Sequence, residues 1–198
     1  MSDFSHLDQL ALNLRFAMRE REQNPDYWAE RLAKLTRNGI DKMKAHALLT
    51  GAKPQPEEID ILVEMLGFER EELLSVPLYT RNAPLLVQNL CYLVDGIPHG
   101  HGRIAAEKIG IKESQRSRWK KWSGSSPPHP TNLKNLLKFH GLDPDLDLTR
   151  VPIFLSMEPL GGYAQKKWVA DQLHEMPPSE VSEIYPALKK LLRRDEDH

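Results

Sequence analysis

Apolar residues recur along most of this chain at the three- and four-residue spacing of amphipathic helices, and nowhere alternate long enough for a strand. Leu10, Leu14, Ala17 and Met18 predict a helix over residues 7–21. Asn24-Pro25 then offers a cap followed by a proline suited to a first helical position. Trp28, Leu32 and Leu35 mark a short helix closing at Asn38-Gly39, a left-handed C-cap signal. Ile40 opens another through Met43, Ala47 and Leu48 to Thr50-Gly51, and Lys53-Pro54-Gln55-Pro56 makes a loop. Residues 57–66 are helical again, with Ile59, Leu62, Val63 and Leu66 on one face and acids in the first turn. Gly67 ends that helix, and residues 69–74 form a last short turn.

After Val76-Pro77 to Ala83-Pro84, which reads as a linker, the order repeats. Residues 85–95 form a helix, 96–102 a loop, and 103–109 a short helix closed by Gly110. A helix begins at Ile111 and extends to about Trp122, followed by a Ser/Pro-rich loop over 123–130. Thr131 caps a helix carrying Leu133, Leu136, Leu137 and His140, which Gly141 stops. Two units thus share the order long helix, short helix, turn, short helix, proline loop, helix, although few residues match between them. Beyond them, Val151-Pro152-Ile153-Phe154-Leu155 reads as a short extended piece, and residues 163–175 and 179–194 read as two helices, with Pro186 expected to kink or interrupt the second. The expected organisation is all-α: a first domain over 1–76, a linker over 77–84, a second domain over 85–148 and a helical tail over 149–198 that dimerises or docks a partner.

Net charge sharpens the contrast between the units. The whole chain carries -1, but residues 1–75 hold -4, residues 85–142 hold +6 and residues 143–198 hold -4. A basic middle between acidic flanks points to a polyanion contact concentrated in one segment. Hydrophobic residues at 40% and charged residues at 28% suit a globular chain. No apolar run reaches the ~20 residues that would span a bilayer, and the first residues lack the pattern of a secretory signal. Cys91 is the single cysteine, so neither an internal disulfide nor a cysteine-rich zinc site can be built. A cytoplasmic, nucleoid-associated setting and no membrane contact are expected.

The basic segment has the makings of a reader of duplex DNA. Ala105-Ala106 permit close helix contact, Gly110 supplies a turn, and Ile111 follows as an apolar plug. The next helix carries Lys112, Ser114, Gln115, Arg116, Ser117, Arg118, Lys120 and Lys121 against one acid, Glu113. Gln and Arg make bidentate bonds to adenine and guanine edges, whereas lysines and hydroxyls at the rim suit phosphates.

Through Ala105-Ala106-Glu107-Lys108-Ile109-Gly110-Ile111, then Ser117-Arg118-Trp119, the proline loop and Asn132-Leu133-Lys134-Asn135-Leu136-Leu137-Lys138, the chain resembles the lambda-repressor-like (Xre) helix-turn-helix regulators. The first unit resembles the same family through Trp28-Ala29-Glu30-Arg31-Leu32-Ala33-Lys34-Leu35, Ile40, Leu48, Gly51, Pro54 and Glu58-Ile59-Asp60-Ile61-Leu62. The resemblance implies two tandem helix-turn-helix bundles, with Lys112, Ser114, Gln115, Ser117 and Arg118 as base readers and Trp119 structural. Arg116 departs from the pattern, standing where the family buries an aliphatic residue. Either the helix is rotated or Arg116 extends its head toward phosphate. In the first unit the corresponding helix offers Lys42, Lys44 and His46, and that unit either reads DNA weakly or serves in dimerisation.

Other chemistry is sparse. His99, His101, His129 and His140 lack a metal-ligand frame, and Asp143, Asp145 and Asp147 lack the glycine and distal glutamate of a calcium loop. Neither a phosphate-binding glycine loop nor a catalytic triad order is present, so no enzyme, cofactor or metal is expected. The expected function is that of a sequence-specific DNA-binding regulator of bacterial or phage type, a repressor by occupancy, acting as a homodimer. The alternative is a structural adaptor in a DNA-bound assembly, such as transposition, plasmid maintenance or defence. There the first domain or the tail would dock a protein.

Overall fold

The computed structural model describes residues 4, 7–37, 39–119, 128–158 and 162–192. Among them every regular element is helical. The first set comprises α1 (Gln9–Arg19), α2 (Trp28–Leu35), α3 (Lys42–Leu49), α4 (Pro56–Leu66) and α5 (Arg70–Ser75). The second comprises α6 (Leu85–Asp95), α7 (Gly102–Ile109), α8 (Glu113–Trp119) and α9 (Pro130–Phe139). Two more, α10 (Gly162–Glu175) and α11 (Pro178–Leu192), follow. No helix is long and apolar enough to cross a membrane among the described residues.

The helix ends follow from local chemistry. Asp8 and Asp41 accept from the amides of Ala11 and Lys44, capping α1 and α3. Gln55 and Glu58 form a reciprocal capping box at α4. Gly67 and Gly110 close α4 and α7 at φ 73° and 82°, a left-handed geometry that a Cβ disfavours. The closure expected at Asn38-Gly39 differs: Arg37 takes the positive φ of 52°, and Asn38 lies outside the described residues. Gly39 matters for space instead, since a Cβ there would sit 3.2 Å from both Ile61 Cδ1 and the Thr36 carbonyl. The proline expected to kink the last helix, Pro186, lies inside α11, which continues past it.

Two cores result, one per set of helices. The first gathers Leu14, Met18, Trp28, Leu32, Leu48 and Leu62; the second gathers Leu90, Leu93, Ile109, Trp119 and Leu136. Each set is closed by a device that periodicity does not reveal. In the first, fully buried Asn13 on α1 donates through Nδ2 to the carbonyls of Leu73 (2.9 Å) and Val76 (2.8 Å) and accepts from the Leu78 amide (3.0 Å). In the second, buried Asn89 on α6 donates to Leu148 (2.8 Å) and Val151 (2.7 Å) and accepts from Phe154 N–H (3.4 Å). The reason is the same in both. Pro77 and Pro152 lack the N–H that the carbonyl four residues earlier would need, and the asparagine amide takes its place.

Both closures fall in segments whose burial periodicity does not reveal. Residues 77–84, expected to link, contain a 3₁₀ turn, Leu78–Thr80, in which Leu78 and Tyr79 are buried. Residues 151–155, expected in the tail, carry a second, Ile153–Leu155, buried throughout. The turns also join the two helix sets. Leu12, Tyr79, Leu85, Phe154 and Leu155 form a third apolar cluster between them. Arg15 on α1 donates to the Leu49 carbonyl (2.7 Å) and to the Leu155 carbonyl (3.2 Å). Burial depresses its guanidinium to about 10. Arg19 donates to the Phe154 carbonyl and lies over the rings of Phe154 (4.9 Å) and Tyr92 (5.4 Å). In return, Gln88 on α6 donates to the carbonyls of Tyr79 and Ala83. Each set's first helix therefore holds the other's closing turn, and the connection is a packed joint rather than a tether.

Candidate nucleic-acid interface

The candidate site is the pair α7–α8 with the turn between them. Ala105 and Ala106 are buried on α7, which lets α9 approach closely, and Asn135 on α9 donates to the Ile109 carbonyl (3.1 Å) to fix the end of α7. Gly110 turns the chain, and half-buried Ile111 packs against the second core. Trp119 is buried at the far end of α8, and the Cys91 thiol approaches its carbonyl (3.8 Å). These anchors leave one face of α8 in solvent.

That face holds much of what the sequence assigned to it. Lys112, Ser114, Ser117 and Arg118 are exposed, and Gln115 is half-buried. Among the described residues neither Lys112 nor Arg118 has a carboxylate partner, so their charge is directed outward. Lys120 and Lys121, read as phosphate contacts, lie outside the described residues, as does the 123–127 part of the following loop.

Arg116 does not join the outer face. Its side chain is only 18% exposed, its Nη2 stands 3.8 Å from Glu113 Oε1, and its Nε is buried without a partner. The guanidinium lies against the start of α7, where a Cβ on Gly102 would come within 2.7 Å of Nη2. The physical reason is room: the arginine stem fills the inward position that an aliphatic side chain would occupy, and a glycine across from it accommodates the head. An additional feature emerges here. The cap residue His101 makes no side-chain cap bond, and the first-turn amides of Gly102, Arg103 and Ile104 have no acceptor among the described residues. Uncapped amides, the positive end of a helix and a buried guanidinium meet at one place, an arrangement suited to a phosphate oxygen. The signal in the sequence was glycine at 102 paired with arginine at 116, legible only once the helices are placed. His99 and His101 stand beside it at the surface, the latter half-buried.

The corresponding helix of the first set is electrostatically different. Lys44 Nζ is 3.1 Å from Glu58 Oε1 with both side chains largely covered, and Lys42 Nζ is 3.8 Å from Glu30 Oε2. His46 is exposed, as is Met43 at 81%. Lys44 is thus paired with Glu58, and Lys42 shares Glu30 with Lys34, which holds it at 2.5 Å, so the positive field that helix can offer a polyanion is reduced chiefly at Lys44.

No cluster of metal-ligating side chains occurs among the described residues. Elsewhere ionisable groups serve structure: Lys134 and Asp145 pair at 2.6 Å, which raises the lysine and lowers the aspartate, and burial depresses His140 below the usual histidine range. Comparison with protein-family models, curated proteins and solved structures returns no match for this chain.

Proposed function

We propose that the chain is a double-stranded DNA-binding transcriptional regulator whose reading element is the helix-turn-helix α7–α8, set in the second of two tandem lambda-repressor-like bundles. The observation that carries this is the exposed, unneutralised face of α8. Lys112, Ser114, Ser117 and Arg118 stand outward on a helix whose opposite side is anchored by Trp119. A helix presenting such residues fits the major groove, where Arg118 and Gln115 would address base edges and Lys112 the backbone. The uncapped start of α7 would receive an adjacent phosphate, with Arg116 beneath it strengthening the local positive potential rather than touching bases. Regulation would be by occupancy, as a repressor. Contacts at the joint hold the two helix sets against each other, and the first bundle would contribute placement more than attraction.

A second reading has its own support. Because Lys44 is paired with Glu58 and Lys42 shares Glu30 with Lys34, the first bundle is suited to a protein partner. In that case the chain is a structural adaptor in a DNA-bound assembly, and DNA contact through α8 is auxiliary. Selection of bound duplexes from a random-sequence pool separates the two. A regulator enriches one site, whereas an adaptor retains duplex without enriching any sequence. A chain that retains no duplex at all would contradict both.

A further inference from the structure

The two helix sets correspond element by element. α1 and α6 have 11 residues each, α2 and α7 have 8 each, and α4 and α9 both begin with a proline. Asn13 and Asn89 hold the same place in α1 and α6, and each binds the closing turn of its own set. Counted from there, Phe16 matches Tyr92 and Arg19 matches Asp95. The turn Leu78–Thr80 matches Ile153–Leu155, so Tyr79 matches Phe154.

The contacts at the joint follow that correspondence. α1 reaches the second turn through Arg19, which donates to the Phe154 carbonyl. α6 reaches the first turn through Gln88, which donates to the carbonyl of Tyr79, the matching position. Both members of two matched pairs, Phe16 with Tyr92 and Tyr79 with Phe154, pack in the one apolar cluster between the sets. When i meets j′ while i′ meets j, the two bodies are related by a two-fold axis. The relation is approximate, and its departure favours pairing of the unlike halves. Burial lowers the Arg19 guanidinium, and Tyr92, Glu20 and Asp95 act against that lowering electrostatically. A pair of identical first sets would put a second arginine at the position of Asp95, beside a cation already desolvated.

Only one of the two related helices keeps its charge unneutralised. α8 presents Lys112 and Arg118 without a carboxylate partner among the described residues, whereas Lys44 on α3 stands 3.1 Å from Glu58. A symmetric dimer reads two half-sites, and the palindromy of its site mirrors the two-fold of the protein. We propose that a single chain is the whole DNA-binding unit: its two helix sets stand as two subunits would, the contact that a second copy would supply is made within the chain, and the duplex it takes carries one non-palindromic site read by α8. This rests on α8 being the reader and adds to it the stoichiometry and the form of the site.

The test enriches duplexes from a random-sequence pool and then follows the full chain, free and bound to the enriched duplex, by sedimentation velocity. The free chain is expected to sediment as a monomer and the complex to hold one chain per duplex. The enriched sequence should lack an inverted repeat. Arg118→Ala should lower affinity for that duplex at least about tenfold and leave the one-to-one ratio unchanged. Two chains on an inverted repeat would overturn the proposal while leaving α8 as the reader. A dimeric free chain, or duplex retained without an enriched site, would overturn it as well. A chain that retains no duplex would overturn the reading of α8 itself, and this proposal with it.

Discussion

Replacing Asn13 by alanine should weaken the protein far more than the loss of one surface amide would suggest. The side chain is fully buried and its bonds to Leu73, Val76 and Leu78 all cross from α1 to the closing segment. Truncation leaves two carbonyls and one amide without their partner, in a region where water cannot readily follow. An orphaned buried group costs about 1–3 kcal/mol. Taking the low end for the two carbonyls and the middle for the amide gives about 4 kcal/mol, a large share of the roughly 5–15 kcal/mol that holds a domain folded. Asn89→Ala should cost somewhat less, about 3 kcal/mol, because its bond from Phe154 N–H is long at 3.4 Å. Asn13→Asp keeps the shape but turns a carboxylate oxygen toward the two carbonyls, and should be at least as damaging as alanine. Urea titration followed by far-ultraviolet circular dichroism measures all three variants. A loss below about 1 kcal/mol for Asn13→Ala would refute the idea that the asparagine replaces the missing proline N–H.

Two further outcomes follow from the same structure. Burial holds His140 below its ordinary pKa of 6.5, so the unfolded chain binds the proton that the folded chain refuses. Stability contributed by this residue is complete above the unfolded value and is lost as pH falls toward the folded one. The unfolding free energy should therefore decline on acidification below neutrality, by at most about 1.4 kcal/mol per pH unit from this group, and the melting temperature with it. His140→Phe should flatten that decline, and an unaltered profile would show that other groups carry it. Lys44→Ala should change duplex affinity by no more than about twofold, since Lys44 is paired with Glu58; a large loss in a binding titration would return α3 to the reading surface.

The sequence revealed local structure well and partners poorly. The boundaries of α6 follow from its periodicity, and Gly67 and Gly110 adopt the left-handed closures that their positions indicated. Periodicity reports which side of a helix is apolar, and that is a local property. It is silent on side chains that act across sixty residues, as Asn13 and Asn89 do, and so residues 77–84 read as a linker and residues 151–155 as a short extended piece rather than as closing turns. A cue was nevertheless present: Val76-Pro77-Leu78-Tyr79 recurs as Val151-Pro152-Ile153-Phe154, each following a buried helical asparagine at nearly equal distance. In the candidate interface, residue type alone placed Lys112, Ser114, Ser117 and Arg118 on an exposed face. It does not show the inward turn of Arg116, whose direction depends on the absence of a side chain at Gly102, nor the carboxylates of Glu30 and Glu58 that stand beside Lys42 and Lys44.

The most direct measurement is the salt dependence of duplex binding by the full chain beside the Lys112→Ala, Arg118→Ala double variant. Each phosphate contact released contributes about 0.9 to the slope of log affinity against log salt, so loss of a backbone-contacting Lys112 should reduce the slope by roughly 1, and by nearly 2 where Arg118 also touches phosphate. Affinity itself should fall at least about tenfold. An unchanged slope with unchanged affinity would mean that the outward face of α8 does not meet DNA.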